Sequence, residues 1–215
     1  GMKQVVFQTS PKMSTYLLFL GLGEFERATL QAENGTGKPV EIGVIAQKGK
    51  VEQARFALEG SRDVLREYND YFGVPFPLPK LDNIAAPGRS QFFSAMENWG
   101  AIFTFERALL VDPKSTSEAS KRRVYEIVAH EMAHQWFGDL VTMAWWDDLW
   151  LNESFAEWAS HFANVKATRF TDAWTTFLNQ RKAWAYRQDQ LPSTHPIAAD
   201  MVDLDAVRVN FDGIT

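Results

Sequence analysis

The sequence predicts an α+β domain in which a β-sheet lobe is followed by a helical lobe. Short apolar or alternating runs, typical of strands, dominate residues 4–46 and recur at 81–86 and 101–105. Helical periodicity dominates from residue 118 onward. With 215 residues, of which 46% are hydrophobic, the chain can build one sizeable core. Strands that precede helices in this way indicate two lobes of an α+β domain.

Four strand-like segments separated by turn residues make up the N-terminal part of the chain. They are residues 5–7, 16–20, 28–32 and 40–46. The Asn, Gly, Thr and Pro residues within 34–39 lie between two alternating runs. This arrangement predicts a β-hairpin that joins the last two segments.

Four helices are predicted from apolar residues that recur at helical spacing. They span residues 51–72, 118–137, 148–167 and 171–188. Gly60 lowers the helix propensity of the first one and allows a kink there. Ser115 or Ser117 is the expected N-cap of the second, because a serine oxygen can accept a hydrogen bond from an unpaired backbone N–H.

The second predicted helix carries the sequence His-Glu-Met-Ala-His at residues 130–134. Helix positions four apart differ by only ~40° and ~6 Å. His130 and His134 therefore project from one helix face, one turn apart. Two neutral imidazoles at this spacing can hold one Zn²⁺. Glu131 beside them is placed to act on a metal-activated water rather than to bind the metal.

A third metal ligand is expected from the next helix. Catalytic zinc sites have three protein ligands and an open position, whereas structural sites have four. Glu153, in a Trp-Leu-Asn-Glu helix start, is the candidate, and the absence of cysteine excludes a closed thiolate site. The alternative is a pair of hydrogen-bonded core histidines beside an exposed glutamate. Agreement between the motif, the later glutamate and the helix context favours one open zinc site per chain.

Other polar residues near the motif are weaker candidates. Metal-bound imidazoles usually donate their second N–H to a carboxylate or a carbonyl. Glu157, Asp147 and Asp148 could take that role, although a solvated carboxylate is the favoured interpretation of each. His161 and His195 have no partner at ligand spacing and are interpreted as surface or internally hydrogen-bonded histidines.

Composition excludes some classes of protein. The net charge is −5 and basic residues do not cluster, which argues against a nucleic-acid partner. No uninterrupted apolar stretch approaches 18 residues, so no membrane segment is expected. The first residues lack the apolar core of a signal peptide, and a cytoplasmic location is expected. The oligomeric state is not specified by these features.

Three segments together resemble the zinc aminopeptidases of the aminopeptidase N type, which are gluzincins. They are H-E-M-A-H-Q-W-F-G-D-L-V-T from His130, W-L-N-E-S-F-A from Trp150 and S-A-M-E-N-W-G from Ser94. In that family, eighteen residues separate the H-E-x-x-H motif from a metal-binding Glu. The same number separates His134 from Glu153. The resemblance supports Zn²⁺ as the cofactor.

The resemblance also implies an architecture. It predicts a thermolysin-like zinc peptidase domain of two lobes with the metal between them. Residues 1–22 would be the tail of an N-terminal β domain and would contribute its last strands. Residues 23–215 would form the catalytic domain, which is expected to be incomplete at its C-terminal end.

A substrate groove is expected at the segment that matches the family's G-x-M-E-N motif. Its residues are Ser94, Ala95, Met96, Glu97 and Asn98. Because they lie between strand-like segments, an extended peptide can pair with their backbone. The resemblance implies that Glu97 holds the substrate's free α-ammonium by a charge-assisted hydrogen bond. The family usually has Gly where this chain has Ser94, and Gly permits closer backbone approach, so substrate fit is expected to differ.

The resemblance implies that the function is hydrolysis of N-terminal residues from peptides with a free N-terminus. Glu131 would take the proton of the metal-activated water as general base. In the family, a Tyr of a Y-x-K-G stretch stabilises the oxyanion. Residues 211–215 resemble the lead-in to that stretch, and the Tyr itself would follow residue 215. Poor hydrolysis by this chain is therefore expected. The alternatives are a zinc endopeptidase of the same fold and a non-catalytic zinc- and peptide-binding fragment.

Overall fold

A computed structural model describes residues 4–91 and 93–215 of the chain. In these ranges the chain forms one mixed sheet followed by helices, which confirms the predicted α+β class. Residues 1–3, which belong to the predicted N-terminal segment, lie outside the described residues. Among the described helices, none combines the length and the apolar character needed to cross a bilayer.

The sheet has five strands in the order β1-β2-β3-β5-β4. They are β1 (Phe25–Glu33), β2 (Pro39–Gln47), β3 (Lys80–Ala86), β4 (Ala95–Met96) and β5 (Ala101–Phe105). The outer pairs β1/β2 and β4/β5 are antiparallel, whereas β2/β3 and β3/β5 are parallel. The central strand β3 is almost wholly buried, and the two-residue β4 forms one edge of the sheet.

The predicted hairpin joins β1 and β2, and a side chain shapes its turn. Asn34 is buried, and its Oδ1 accepts hydrogen bonds from the backbone N–H groups of Thr36 and Lys38 at 3.1 and 3.2 Å. This is the local bonding that makes Asn a turn residue. Burial alternates along β1, as expected for a strand with one face against the core.

Three long helices follow the predicted pattern. They are α1 (Arg55–Phe72), α2 (Glu118–His134) and α3 (Trp150–Ala167). A 3₁₀ turn, Val51–Ala54, precedes α1, which runs without interruption through Gly60. Shorter helical segments complete the C-terminal part: α4 (Ala173–Thr176), a π-helical stretch (Phe177–Lys182), α5 (Ala183–Asp189) and α6 (Leu204–Val209).

The main core lies between the sheet and helices α1, α2 and α3. Tyr68 of α1 is fully buried, and its hydroxyl donates to the carbonyl of Ala129 in α2 at 2.8 Å. The indole of Trp136 packs on the rings of Tyr68, Phe72 and Phe76. Its N–H donates to the Val74 carbonyl at 2.8 Å, so the aromatic cluster also satisfies its polar atom. This packing fixes the C-terminal end of α2 against the sheet.

Two predicted strands near the N-terminus are wrong. Residues 5–7 are not in a strand, and residues 16–20 contain only a 3₁₀ turn, Thr15–Leu17. A strand needs a hydrogen-bonded neighbour, and in the described part of the chain the sheet begins at Phe25. The predicted last strands of an N-terminal β domain are therefore not formed in residues 4–22. The domain boundary at residues 22 and 23 stays a prediction.

Candidate active site

Helix α2 brings the two histidines of the H-E-x-x-H motif together. His134 is fully buried and His130 partly so, and their Nε2 atoms lie 3.1 Å apart. The helix forms because its N-terminal residue Glu118 follows a serine cap: Ser117 Oγ accepts from the Ser120 N–H at 3.2 Å. Because His130 and His134 are four residues apart in this helix, both imidazoles lie on one helix face.

Helix α3 packs against α2 and presents Glu153 in its first turn. Glu153 Oε2 lies 3.4 Å from His130 Nε2 and 3.6 Å from His134 Nε2. The three candidate ligand atoms thus form a triangle with sides of 3.1, 3.4 and 3.6 Å. Three ligands held about 2.0–2.1 Å from one tetrahedral ion would be about 3.3–3.4 Å apart. The donor set fits a zinc ion in both chemistry and spacing.

The second nitrogen of each imidazole also has a partner. His134 Nδ1 lies 3.0 Å from the carbonyl oxygen of Phe137, which fixes the tautomer with Nε2 free to accept. His130 Nδ1 lies 3.3 Å from Glu157 Oε2. The interpretation of Glu157 as a solvated carboxylate is therefore wrong. Its other oxygen accepts from Arg181 Nε at 2.6 Å, so the π-helical stretch anchors this carboxylate.

Electrostatics at this cluster favour a cation. Burial lowers the pKa of His130, but the carboxylates of Glu153 and Glu157 outweigh it and raise the pKa to about 9. Burial raises the pKa of Glu153, but the charge of His134 and hydrogen bonds from both imidazoles bring it well below its usual range. The same groups that hold a proton on the imidazoles would attract a metal ion.

Glu131 lies beside this triangle rather than in it. It is buried, and it offers a carboxylate oxygen within 4.8 Å of ligand atoms of Glu97 and His134. Burial raises the pKa of Glu131 to about 7, although the charges of His130 and His134 oppose that shift. A carboxylate with this pKa can accept and release a proton near neutral pH.

The segment of the predicted substrate groove forms the sheet edge next to α2. Ala95 and Met96 form β4, paired with Thr104 and Phe103 of β5, and the Ser94 carbonyl accepts from the Phe105 N–H at 3.0 Å. The other edge of β4 has no neighbouring strand among the described residues, so it can accept an added strand.

The side chains of Glu97 and Asn98 follow β4 and are buried. Gln135, which directly follows the second histidine, joins this turn to α2. Its Nε2 donates to the Glu97 carbonyl at 3.0 Å, and its Oε1 accepts from the Gly100 N–H at 2.8 Å. The turn that carries Glu97 is thereby held against the end of the helix that carries His134.

Comparison with known proteins places this geometry in a family. Residues 56–215 match the Peptidase family M1 domain. The chain belongs to peptidase family M1. It is 47% identical to "Probable aminopeptidase 2" of Sulfurisphaera tokodaii over 213 residues. These residues are 99% of this chain and 26% of that relative.

Two further relatives agree. A "Leucyl aminopeptidase" of Saccharolobus solfataricus is 46% identical over 97% of this chain and 26% of its own length. An "Aminopeptidase N" of Acetobacter pasteurianus is 49% identical over 73% of this chain and 42% of its own length. The chain thus spans between about a quarter and two fifths of these M1 relatives, and the predicted resemblance to the aminopeptidase N type is confirmed.

Two residues at this M1 site were not anticipated from the sequence. Asp139 is buried, and burial followed by the charge of Glu97 raises the pKa of its carboxyl to about 9. Tyr16 donates its hydroxyl to Glu97 Oε1 at 3.4 Å. Asp139 lies within the run that continues the zinc motif, so its position was a usable signal. Tyr16 is 81 residues from Glu97, and no local pattern indicates that contact.

Proposed function

We propose that this chain forms the zinc-binding part of an M1 aminopeptidase that releases N-terminal residues from peptides with a free N-terminus. The observation that carries the proposal is the triangle of His130, His134 and Glu153 with the carboxylates of Glu131 and Glu97 beside it. The names of the relatives support the reaction class. A thermolysin-like arrangement of two lobes, the domain boundary after residue 22 and a cytoplasmic location belong to the same proposal.

In this proposal His130, His134 and Glu153 hold one Zn²⁺ per chain. When bound, the ion would polarise the scissile carbonyl and lower the pKa of a water molecule. The Phe137 carbonyl and Glu157 keep both imidazoles oriented with Nε2 toward the ion's position. The half-buried ion pair of Glu157 and Arg181 keeps the Glu157 carboxylate in place beside His130.

Glu131 is the proposed general base. It accepts a proton from the attacking water at a carboxylate oxygen and then donates that proton to the leaving amine. Its burial, which raises its pKa to about 7, matches both steps near neutral pH. Since its carboxylate is outside the triangle of candidate ligands, it is free for this role.

Ser94, Ala95, Met96, Glu97 and Asn98 are the proposed substrate-binding residues. The free edge of β4 would pair with the substrate backbone. The Glu97 carboxylate would bind the α-ammonium, and this limits cleavage to the first peptide bond. An acetylated N-terminus has no charge for Glu97 to bind, so it distinguishes an aminopeptidase from an endopeptidase of the same fold.

The test combines zinc content with peptide cleavage. We expect one zinc per chain by mass spectrometry for both the wild type and E131Q, because Glu131 is not a ligand in the proposal. The wild-type rate is expected to be low, and we expect E131Q to cleave peptides with a free N-terminus about 10²- to 10⁴-fold more slowly still. E67Q, which changes a partly buried glutamate of α1, is the matched control and should keep the wild-type rate.

Three outcomes would count against this proposal. A wild-type chain that binds no zinc would remove its basis. Equal cleavage of a free and an N-acetylated peptide would favour the endopeptidase alternative. One bound zinc with peptide binding but no cleavage would favour the non-catalytic alternative.

A further inference from the structure

A buried carboxylate without a partner lies next to the proposed amine site. Asp139 is 7% exposed, and neither of its carboxylate oxygens has a hydrogen-bond partner among the described residues. Its backbone N–H donates to the His134 carbonyl at 3.0 Å, so the residue is fixed at the C-terminal end of α2. Leaving a buried acceptor unpaired is costly, and such a group in a folded protein calls for a physical reason.

The surroundings of Asp139 are acidic. The charges that act on its carboxyl are those of Glu97, His134 and Glu131, with Glu97 the largest. Glu97 is itself buried, and its carboxylate Oε1 accepts a hydrogen bond from the Tyr16 hydroxyl. Glu97 and Asp139 are both buried and have lost hydration, and their charges repel each other, so a cation that binds both would be favoured.

Tyr16 adds a third oxygen to this region. Its hydroxyl donates to Glu97 Oε1, and the charges that act on it include those of Glu97 and Asp139. The position of the tyrosine is fixed by its neighbour, because the Leu17 carbonyl accepts from Asn98 Nδ2 at 3.1 Å. While the hydroxyl hydrogen points to Glu97, the lone pairs of the same oxygen remain available to accept.

We propose that Asp139 and Tyr16 complete, together with Glu97, a pocket of three acceptors for the free α-ammonium group of a peptide. This inference rests on the proposed function and deepens it. A primary ammonium has three N–H donors, and the two carboxylates and the phenol oxygen give one acceptor for each. Asp139 is thus a binding residue for the amine, and Tyr16 both accepts from the amine and orients Glu97.

Binding of a minimal ligand tests the pocket. The probes are L-leucinamide, which has the free amine, and N-acetyl-L-leucinamide, which lacks it, each titrated calorimetrically into the zinc-loaded chain. We expect the wild type to prefer the free amine. We expect D139N to weaken L-leucinamide binding about 10- to 100-fold, because the charge of the bound ammonium favours the ionised form of Asp139 and an amide cannot supply that negative charge. Y16F should weaken it about 3- to 10-fold, since a neutral hydrogen bond contributes less.

Matched variants make the result specific. E97Q should lose the preference for the free amine, whereas D205N, which neutralises an exposed aspartate of α6, should keep it. The affinity for N-acetyl-L-leucinamide should be the same in D139N and the wild type. A purely structural aspartate would lower the melting temperature of D139N, whereas we expect no loss because its carboxylate has no partner to lose.

Three results would overturn the inference. If E97Q loses the preference and D139N retains it, the amine pocket does not include Asp139, while the proposed function stands. If the wild type shows no preference, both the pocket and the proposed function fail. If the wild type binds two zinc ions and D139N binds one, the carboxylates hold a second metal instead of an amine.

Discussion

At the scale of single residues, close packing explains a glycine that helix propensity disfavours. Gly60 lies inside α1, and a Cβ at this position would be 2.2 Å from Cε1 of Tyr125 in α2. The Tyr125 ring is held in place by Phe56 and Phe170, with ring centroids 4.6 and 5.7 Å away. The glycine therefore permits the approach of α1 and α2, and it does so inside a helix that continues through this position.

We expect G60A to destabilise the chain although Ala is the better helix former. The propensity gain is about 1 kcal/mol, whereas overpacking a tight contact costs about 1–3 kcal/mol. Urea unfolding followed by circular dichroism measures the difference. In the Y125A background the clash is absent, so G60A should become neutral or stabilising there. An equal loss in both backgrounds would contradict this explanation.

The residues of the candidate site differ in how far the sequence alone could predict their positions. His130 and His134 were predictable because the helical period places them together whatever surrounds the helix. Glu153 required only that a second helix pack on the first. Asp139 was visible in the motif run but had no assigned partner, since its neighbours Glu97 and Tyr16 come from remote segments.

At the scale of elements, pairing decides which apolar runs become strands. The runs at 28–32 and 40–46 lie in β1 and β2, because the hairpin between them makes each strand the antiparallel neighbour of the other. The runs at 5–7 and 16–20 have similar composition but no strand beside them in the described part of the chain. Similarly, the π-helical stretch within the predicted helix at 171–188 deviates from the period that predicts helices, and it brings Arg181 to Glu157.

The start of α2 offers an element-scale prediction. Ser117, not Ser115, caps the helix, since its hydroxyl accepts from the Ser120 N–H. We expect S117A to lower the free energy of unfolding by about 0.5–2 kcal/mol, because a backbone donor loses its partner. S115A is the matched control and should change it by less. Urea denaturation of both variants tests this, and an equal loss for both would show that Ser117 has no special role.

At the scale of the whole molecule, stability should depend on pH through a pair in the C-terminal part. His195 Nε2 lies 2.8 Å from Asp212 Oδ2, and its Nδ1 faces the Pro196 carbonyl. Burial lowers the pKa of His195, but the Asp212 carboxylate and the Pro196 carbonyl raise it overall. Asp212 also accepts from the backbone N–H groups of Ile214 and Thr215, so this pair organises the segment around it.

The direction in which stability changes with pH follows from proton linkage. Because the folded protein binds the His195 proton more tightly, the pair stabilises fully below the unfolded pKa of about 6.5 and less as pH rises through the folded pKa. We expect H195Q to lower the free energy of unfolding by up to about 1 kcal/mol at mildly acidic pH and by less at alkaline pH. A loss that is the same at both pH values would contradict this linkage.

Gln135 has a consequence for how the two halves of the proposed site communicate. Its amide group bonds both ends of the turn at 97–100, and its backbone continues directly from His134. A ligand seated against the turn therefore restrains the same few atoms that an ion restrains from the other side. Thermodynamic reciprocity then requires that the factor by which the ion changes the affinity for the ligand equals the factor by which the ligand changes the affinity for the ion, although the two need never touch.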